Sequence, residues 1–402
     1  MCNILNQGQP YTLRDVYFWK ISISLALASF FIFASIYAIQ PLLPLFVEDY
    51  GISVSASSLL LSLTIIGLII GLVIFGFLSD RFGRTIFIKL SLIGTVIPFI
   101  LIPQIQSYAL FMTLRFFQGI AAAALLASAL AYLSEEMDQK SVGVATGLYI
   151  SSNALGGMAG RVFIGYVTDY YSWQIAFYLL GAIGLGIFII VFISLPRSRF
   201  FNPSKLPIKH DFIGFAHHLK NPRLLVIFGL GTVLQLSFTG VWTYLPFHLQ
   251  EPPFNLSLKF ISYLFFAYSI GVIASPIAGW MVGYMKLTPM RIIAIIVLSI
   301  GAFMTLSSSL YIIVFGLCVL CLGFFIAHSL TATTVSEQAT HHKGSAASLY
   351  LVAYYIGVAS GSTLLSPVWS FLGWEGLILV SGLVPIIYVL FTQLVIKKYH
   401  AY

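Results

Sequence analysis

Runs of about twenty apolar residues follow one another along this chain, separated by short polar breaks. That pattern constrains the fold more than any other feature, because about 20 helical residues cross the hydrocarbon of a bilayer. In lipid, the backbone must also satisfy its own polar groups. Spans are expected near 20–43, 57–79, 84–103, 108–132, 142–167, 173–195, 223–247, 259–283, 289–307, 308–333, 345–370 and 375–396. The breaks carry turn or charge signals: Glu48-Asp49-Tyr50-Gly51, Asp80-Arg81, Gln104 to Ser107, Glu135 to Lys140, and Tyr170 to Ser172. Only 8% of the 402 residues are charged, against about a quarter in a soluble domain. So few charges cannot cover a globule of this size in water. The expected class is an all-α integral membrane protein of twelve transmembrane helices.

One long polar stretch, Pro196 to Pro222, divides the chain into a six-helix bundle over 1–195, a linker over 196–222 and a second bundle over 223–402. Positive charge marks the cytoplasmic side of a membrane protein. With the N-terminus inside, 17 of the 20 Lys and Arg fall in cytoplasmic termini or loops, and only Lys259 falls outside. Both termini are therefore expected in the cytoplasm, and the first twenty residues read as a cytosolic leader before a retained helix. The net charge of +8 brings no basic cluster interleaved with aromatics on a polar background, so nucleic-acid binding is not expected. Cys318 and Cys321 lie inside the run FGLCVLCLGFF and read as small hydrophobes. Neither a metal nor a cofactor is expected. The expected surroundings are membrane lipid, and the expected state is a monomer.

The halves resemble each other. A shift of 201 residues aligns Glu136 with Glu337, Gly143 with Gly344, Leu148 with Leu349, Tyr149 with Tyr350, Gly156 with Gly357, Gly160 with Gly361 and Trp173 with Trp374. A parallel repeat of six spans is an architecture in which two halves rock about a site near the bilayer midplane. Gly156 and Gly160, like Gly357 and Gly361, stand four apart and share a helix face, so they predict close helix contact.

Between spans two and three stands GFLSDRFGRT, Gly76 to Thr85. Asp80 and Arg81 close a helix, Gly83 suits the left-handed turn of a very short loop, and Arg84 opens the next helix. This stretch resembles the G-x-L-[AS]-D-R-x-G-R-[RK] loop of the major facilitator superfamily. It matches at Gly76, Leu78, Ser79, Asp80, Arg81, Gly83 and Arg84 and departs at Thr85. The resemblance implies a conformational latch, with Asp80 a switch residue rather than a substrate ligand. LRFFQG, Leu114 to Gly119, looks like the R-x-x-Q-G motif of proton-coupled members, which implies that Arg115 tunes a proton site with support from Gln118. The other reading of Arg115 is a side chain snorkelling to the interface. Span five carries NALGGMAGRVFIG, where Arg161 occupies the proline position of the antiporter motif G-P-x-x-G-G. The GGMAGR and IQPLLP strings resemble a branch of little-characterised bacterial efflux permeases, which implies a bacterial inner membrane. Arg161 either meets a substrate path or pairs with a helix C-terminus.

Charge and polarity inside a span are costly and point to function or an internal partner. Candidate residues for a substrate cavity are Tyr37, Gln40, Asn153, Arg161, Gln235, Trp242 and Tyr354. His328 is the one histidine well inside a span, either titrating near neutral pH or hydrogen-bonded as a structural group. All twelve carboxylates fall at span ends or in loops. No phosphate-binding GxxxxGK[ST] loop is present. A membrane-embedded enzyme would call for clustered acids and histidines at one membrane face, and only His341-His342 offers any. The family resemblance implies secondary transport of a small solute, with proton-coupled efflux of an amphipathic drug, metabolite or sugar ahead of proton-coupled uptake or uniport.

Overall fold

The structure, a computed structural model, describes residues 9–203, 215–281, 284, 286–339, 341 and 343–400. Lys205, Lys209 and His342 lie outside the described residues.

The chain is built from helices in the order α1 (Val16–Tyr37), α2 (Leu43–Tyr50), α3 (Val54–Phe82), α4 (Arg84–Leu101), α5 (Tyr108–Glu136), α6 (Val142–Tyr170) and α7 (Trp173–Ser194). After the polar stretch come α8 (Pro222–Gln250), α9 (Leu258–Tyr263), α10 (Tyr268–Met281), α11 (Leu287–Met304), α12 (Leu310–Gln338), α13 (Lys343–Thr363) and α14 (Ser366–His400). Taking α1 with α2, and α9 with α10, these make twelve spans among the described residues. Ten are long and apolar enough to cross a membrane on those two criteria alone. The other two are α6 and α13, the glycine-bearing pair of the repeat, whose small and polar residues lower their hydropathy.

Three spans depart from uniform helix. The first stops at Tyr37, continues through a 3-10 turn over Gln40–Leu42 and resumes as α2. Pro41 and Pro44 lack the N–H a continuous helix would need there. The eighth tightens into a 3-10 turn over Leu264–Ala267 between α9 and α10. In α14, Gly373 takes φ 61° and ψ −155°, a backbone region that is essentially glycine-only. Two helices meet there, so the last span begins after Gly373, at the break the sequence pattern leaves between 370 and 375, and the short helix from Ser366 up to Gly373 belongs with the eleventh span.

The chain divides into two compact units. Unit 1 holds Met1–Ala38 and Gly67–Lys205; unit 2 holds Ile39–Ile66 and Leu206–Tyr402. The first part of α3 thus groups with unit 2, where Ser62 Oγ donates to the Ala359 carbonyl of α13 at 3.0 Å. In unit 1, α1 packs along α6, and α4 packs along both α5 and α7. In unit 2, α8 packs along α13, and α11 packs along both α12 and α14. The 201-residue shift carries each pair onto its counterpart.

Close backbone contact underlies the main pair in each unit. A Cβ built on Gly156 would lie 2.1 Å from the Phe30 carbonyl oxygen, and one on Gly160 would lie 2.4 Å from that of Ala34. On the other side of the repeat, Gly357 and Gly361 meet the carbonyls of Thr232 and Leu236 at 2.3 and 2.4 Å. Side chains bridge the same seams, Ser29 to Asn153 in unit 1 and Thr232 Oγ1 to the Ala353 carbonyl at 2.8 Å in unit 2. Gly147, on the same helix as Gly156, faces open space. Replacing Gly156 with Leu should therefore destabilise the protein by about 2–3 kcal/mol through overpacking, while Gly147→Ala should be silent. Thermal unfolding of the two purified variants in one detergent checks the contrast.

Candidate functional site

At the α3–α4 turn, Gly83 takes φ 102°, and Gly76 has open space where a side chain would begin. Arg84, buried at the start of α4, is the hub of the cluster. Its guanidinium pairs with Asp80, donates to Ser79 Oγ at 3.0 Å, and holds Glu135 Oε1 through Nε at 3.1 Å and Nη2 at 2.8 Å. Arg81 turns back along its own helix to the Phe77 carbonyl at 3.1 Å. The motif thus fastens the α3–α4 turn to the end of α5.

The next residue along, Glu136, has a fully buried side chain. Its carboxylate accepts from Ser198 Oγ at 2.6 Å, from the Phe200 amide at 3.2 Å, and from the Arg199 amide and Nε. Arg199 lies 3.6 Å over the Tyr11 ring, and Tyr11 hydrogen-bonds the backbone at Glu136 and Asp138. Hydrogen bonding from Ser141, then from the Lys140 and Ser141 amides, holds the Asp138 carboxyl below its ordinary range. Glu136 therefore fixes the start of the polar stretch, and the N-terminal segment with it, to unit 1. Sequence reading missed both glutamates as functional groups: they stood as a break after span four, and Glu136 also as a position of the repeat. Their adjacency at a span end, followed by a second run of cations at Arg197 and Arg199, was the available signal.

Deeper in unit 1, two arginines meet the end of α1. Arg115 is 1% exposed, so it does not reach water. Its Nη1 donates to the Ser35 carbonyl at 3.1 Å and to Gln118 Oε1 at 2.5 Å, and its Nη2 donates to the Ile36 carbonyl at 2.7 Å. Gln118 passes the network on, donating to the Thr95 carbonyl at 3.0 Å. The guanidinium fork satisfies carbonyls that α1 leaves open where it stops, at the negative end of the helix dipole. Arg161, also buried, donates to the Gly157 carbonyl of its own helix at 2.8 Å and lies 4.3 Å over the Tyr37 ring. Tyr37 is the last residue of α1, so both guanidiniums gather at that helix end. Asn153 sits apart from them, bonded to Ser29.

In unit 2, Gln40 donates to Thr243 Oγ1 at 2.9 Å, and Gln235 to Thr239 Oγ1 at 3.1 Å. Gln235 Oε1 and Trp242 Nε1 are buried with no hydrogen-bond partner among the described residues. Seven residues apart on α8, they share one face, about 10 Å apart along the axis. Aromatic rings pack on the same helix: Trp242 stacks on Phe265 with centroids 4.8 Å apart, and Phe238 on Phe324 at 3.8 Å. His328 continues this wall, parallel to Phe324, with Nδ1 2.8 Å from the Tyr350 hydroxyl and Tyr354 4.8 Å away ring to ring. The structure thus brings Gln235, Trp242, His328 and Tyr354 to one aromatic region. Tyr350, which sequence reading noted only as part of the repeat, is its hydrogen-bonding link.

Replacing Arg115 with Ala would leave the Ser35 and Ile36 carbonyls short of partners, at about 1–3 kcal/mol for each buried group. The expected result is a lower unfolding temperature with faster amide exchange over residues 34–40, partly restored by Lys. Unchanged exchange there would separate Arg115 from the end of α1.

Residues 25–362 match the Major Facilitator Superfamily. The chain is 33% identical over 384 residues to the inner membrane transport protein YnfM of Escherichia coli, covering 96% of this chain and 92% of that one. It is 27% identical over 252 residues to multidrug resistance protein MdtG of Salmonella choleraesuis, covering 61% and 62%. Among solved structures, a bacterial homologue of the human lysosomal transporter Spinster, in an inward-facing and unoccupied conformation, matches with a TM-score of 0.77. That likeness covers 94% of this chain and 95% of the other at 14% identity, and so concerns the fold. The chain belongs to the Major Facilitator Superfamily: it is a multi-pass secondary transporter of a small solute in the bacterial inner membrane, not an enzyme.

Proposed function

We propose that the protein exports a small amphipathic solute in exchange for protons. The observation that carries this reading is the orphaned pair on α8, Gln235 Oε1 and Trp242 Nε1. A buried polar atom without a partner calls for an explanation. Here one acceptor and one donor stand on an aromatic face, which suits a solute that brings both an apolar body and hydrogen-bonding groups. Efflux is supported by the likeness to MdtG and by the motifs shared with efflux permeases. For the proton, His328 with Tyr350 is the candidate carrier, and Arg115 with Gln118 holds the end of α1. Arg84, Asp80 and Glu135 form the latch. In this reading the halves 1–195 and 223–402 rock as bundles about the linker, both termini are cytoplasmic, and the unit of function is a monomer.

Transport in proteoliposomes tests the coupling. With the cytoplasmic face outward, an acidic lumen should raise solute accumulation several-fold, and His328→Gln should abolish that rise while leaving downhill exchange. Flux indifferent to the gradient refutes proton coupling, and accumulation driven by an alkaline lumen would mark symport instead. Gln235→Leu should weaken solute affinity by about tenfold, or about 1.4 kcal/mol; an unchanged KM removes Gln235 from the site.

A further inference from the structure

Where the eighth span tightens between α9 and α10, a groove opens on unit 2 against the first turns of α12. Its volume is about 420 Å3, and Phe260, Tyr263, Ile270, Leu310, Val314 and Cys318 line it. The 3-10 turn over Leu264–Ala267 narrows the helix locally, so α9 and α10 do not fill the side of α12 as a continuous helix would. Phe260 is 55% exposed and Val314 38%, so the recess opens on the apolar outer surface of the helices. From Leu310 to Cys318 the groove follows α12 for about 12 Å, a depth suited to a hydrocarbon chain entering from one leaflet. A cation stands beside this wall. Lys259 Nζ lies 5.3 Å from the centroid of the Phe260 ring that forms the groove's rim. Lys259 is also the one Lys or Arg that charge asymmetry places on the face opposite the basic loops. An apolar slot with an ammonium beside its Phe260 wall suits a lipid in both shape and charge, since a Lys ammonium pairs with a phosphate through charge-assisted hydrogen bonds.

We propose that this groove is a binding site for an anionic phospholipid, with one acyl chain lying along α12 and its phosphate against Lys259. The occupant is a resident of the membrane and separate from the transported solute, whose candidate residues lie on α8, α12 and α13. The ammonium sets the preference for a negatively charged head group, while the aromatic rim and Val314 hold the chain.

The test uses the full-length protein in phosphatidylcholine vesicles containing a small fraction of phosphatidylglycerol with a photoreactive diazirine on its acyl chain. After irradiation and digestion, label should concentrate on peptides from α9, α10 and the first turns of α12. Val314→Trp, which fills the groove, should cut that labelling at least fivefold. Lys259→Gln should lower labelling by the phosphatidylglycerol probe several-fold but not labelling by a phosphatidylcholine probe, and Lys259→Arg should restore it. Label spread evenly over all lipid-facing helices overturns the proposal. So does labelling by the anionic probe that Lys259→Gln leaves unchanged. Lys259 is partly exposed, so its variants keep the proposal falsifiable even if Val314→Trp does not fold.

Discussion

Hydrocarbon offers a peptide group no hydrogen bond, and the rest of this structure depends on that constraint. Uninterrupted helix meets it automatically. Wherever a helix stops inside a span, the protein must complete the backbone itself. The end of α1 shows how: Pro41 and Pro44 interrupt the ladder, and the Arg115 fork takes the Ser35 and Ile36 carbonyls. Once that guanidinium is committed, Gln118 holds it from the same helix and reaches on to Thr95. The break in the first span, the polar motif in α5 and the contact with α4 are one arrangement.

The second constraint is packing without a hydrophobic drive. Lipid tails are as apolar as leucine, so helices associate through close contact and hydrogen bonds. The glycine seams between α1 and α6 and between α8 and α13 bring backbones together where a Cβ would collide. Polar side chains span both seams. At the helix ends the balance changes, because water and charge are available. There Arg84 and Glu136 gather neighbours from loops and helix termini, tying turns together rather than filling a core.

Much of this was legible in the residues. Apolar run length predicts the spans, and the 201-residue shift anticipates that α6 and α13 repeat each other, each with two glycines against backbone carbonyls of its partner helix. The interruptions were less legible. The first span was expected to run on through residue 43, although Pro41 stood in view, because hydropathy averages across a kink. No proline or charge marks the 3-10 turn at Leu264–Ala267 at all; it is set by tertiary packing. Gly373 is the opposite case: it falls in the break that the pattern leaves between 370 and 375, and the fold adds only its backbone angle. At the site, residue type drew attention to Arg115, Arg161 and His328 one by one. What they touch depends on distant helices: Ser35 lies 80 positions from Arg115. Glu136 was illegible for the opposite reason, since an acid at a span end is ordinarily solvated, and only the fold shows the Ser198–Phe200 segment closing over it.

The two guanidiniums at the end of α1 also make unit 1 electrically visible. An elementary charge carried across the whole membrane exchanges about 2.3 kcal/mol with each 100 mV of potential. Arg115 is bolted to the α1 carbonyls, and Arg161 is held by Gly157 and Tyr37. Neither can cross the field by a side-chain flip. Any gating charge they contribute must come from rigid movement of α1, α5 and α6 together. Voltage therefore acts on these residues as a force on a body of helices, and a displacement current attributable to them measures how far that body travels.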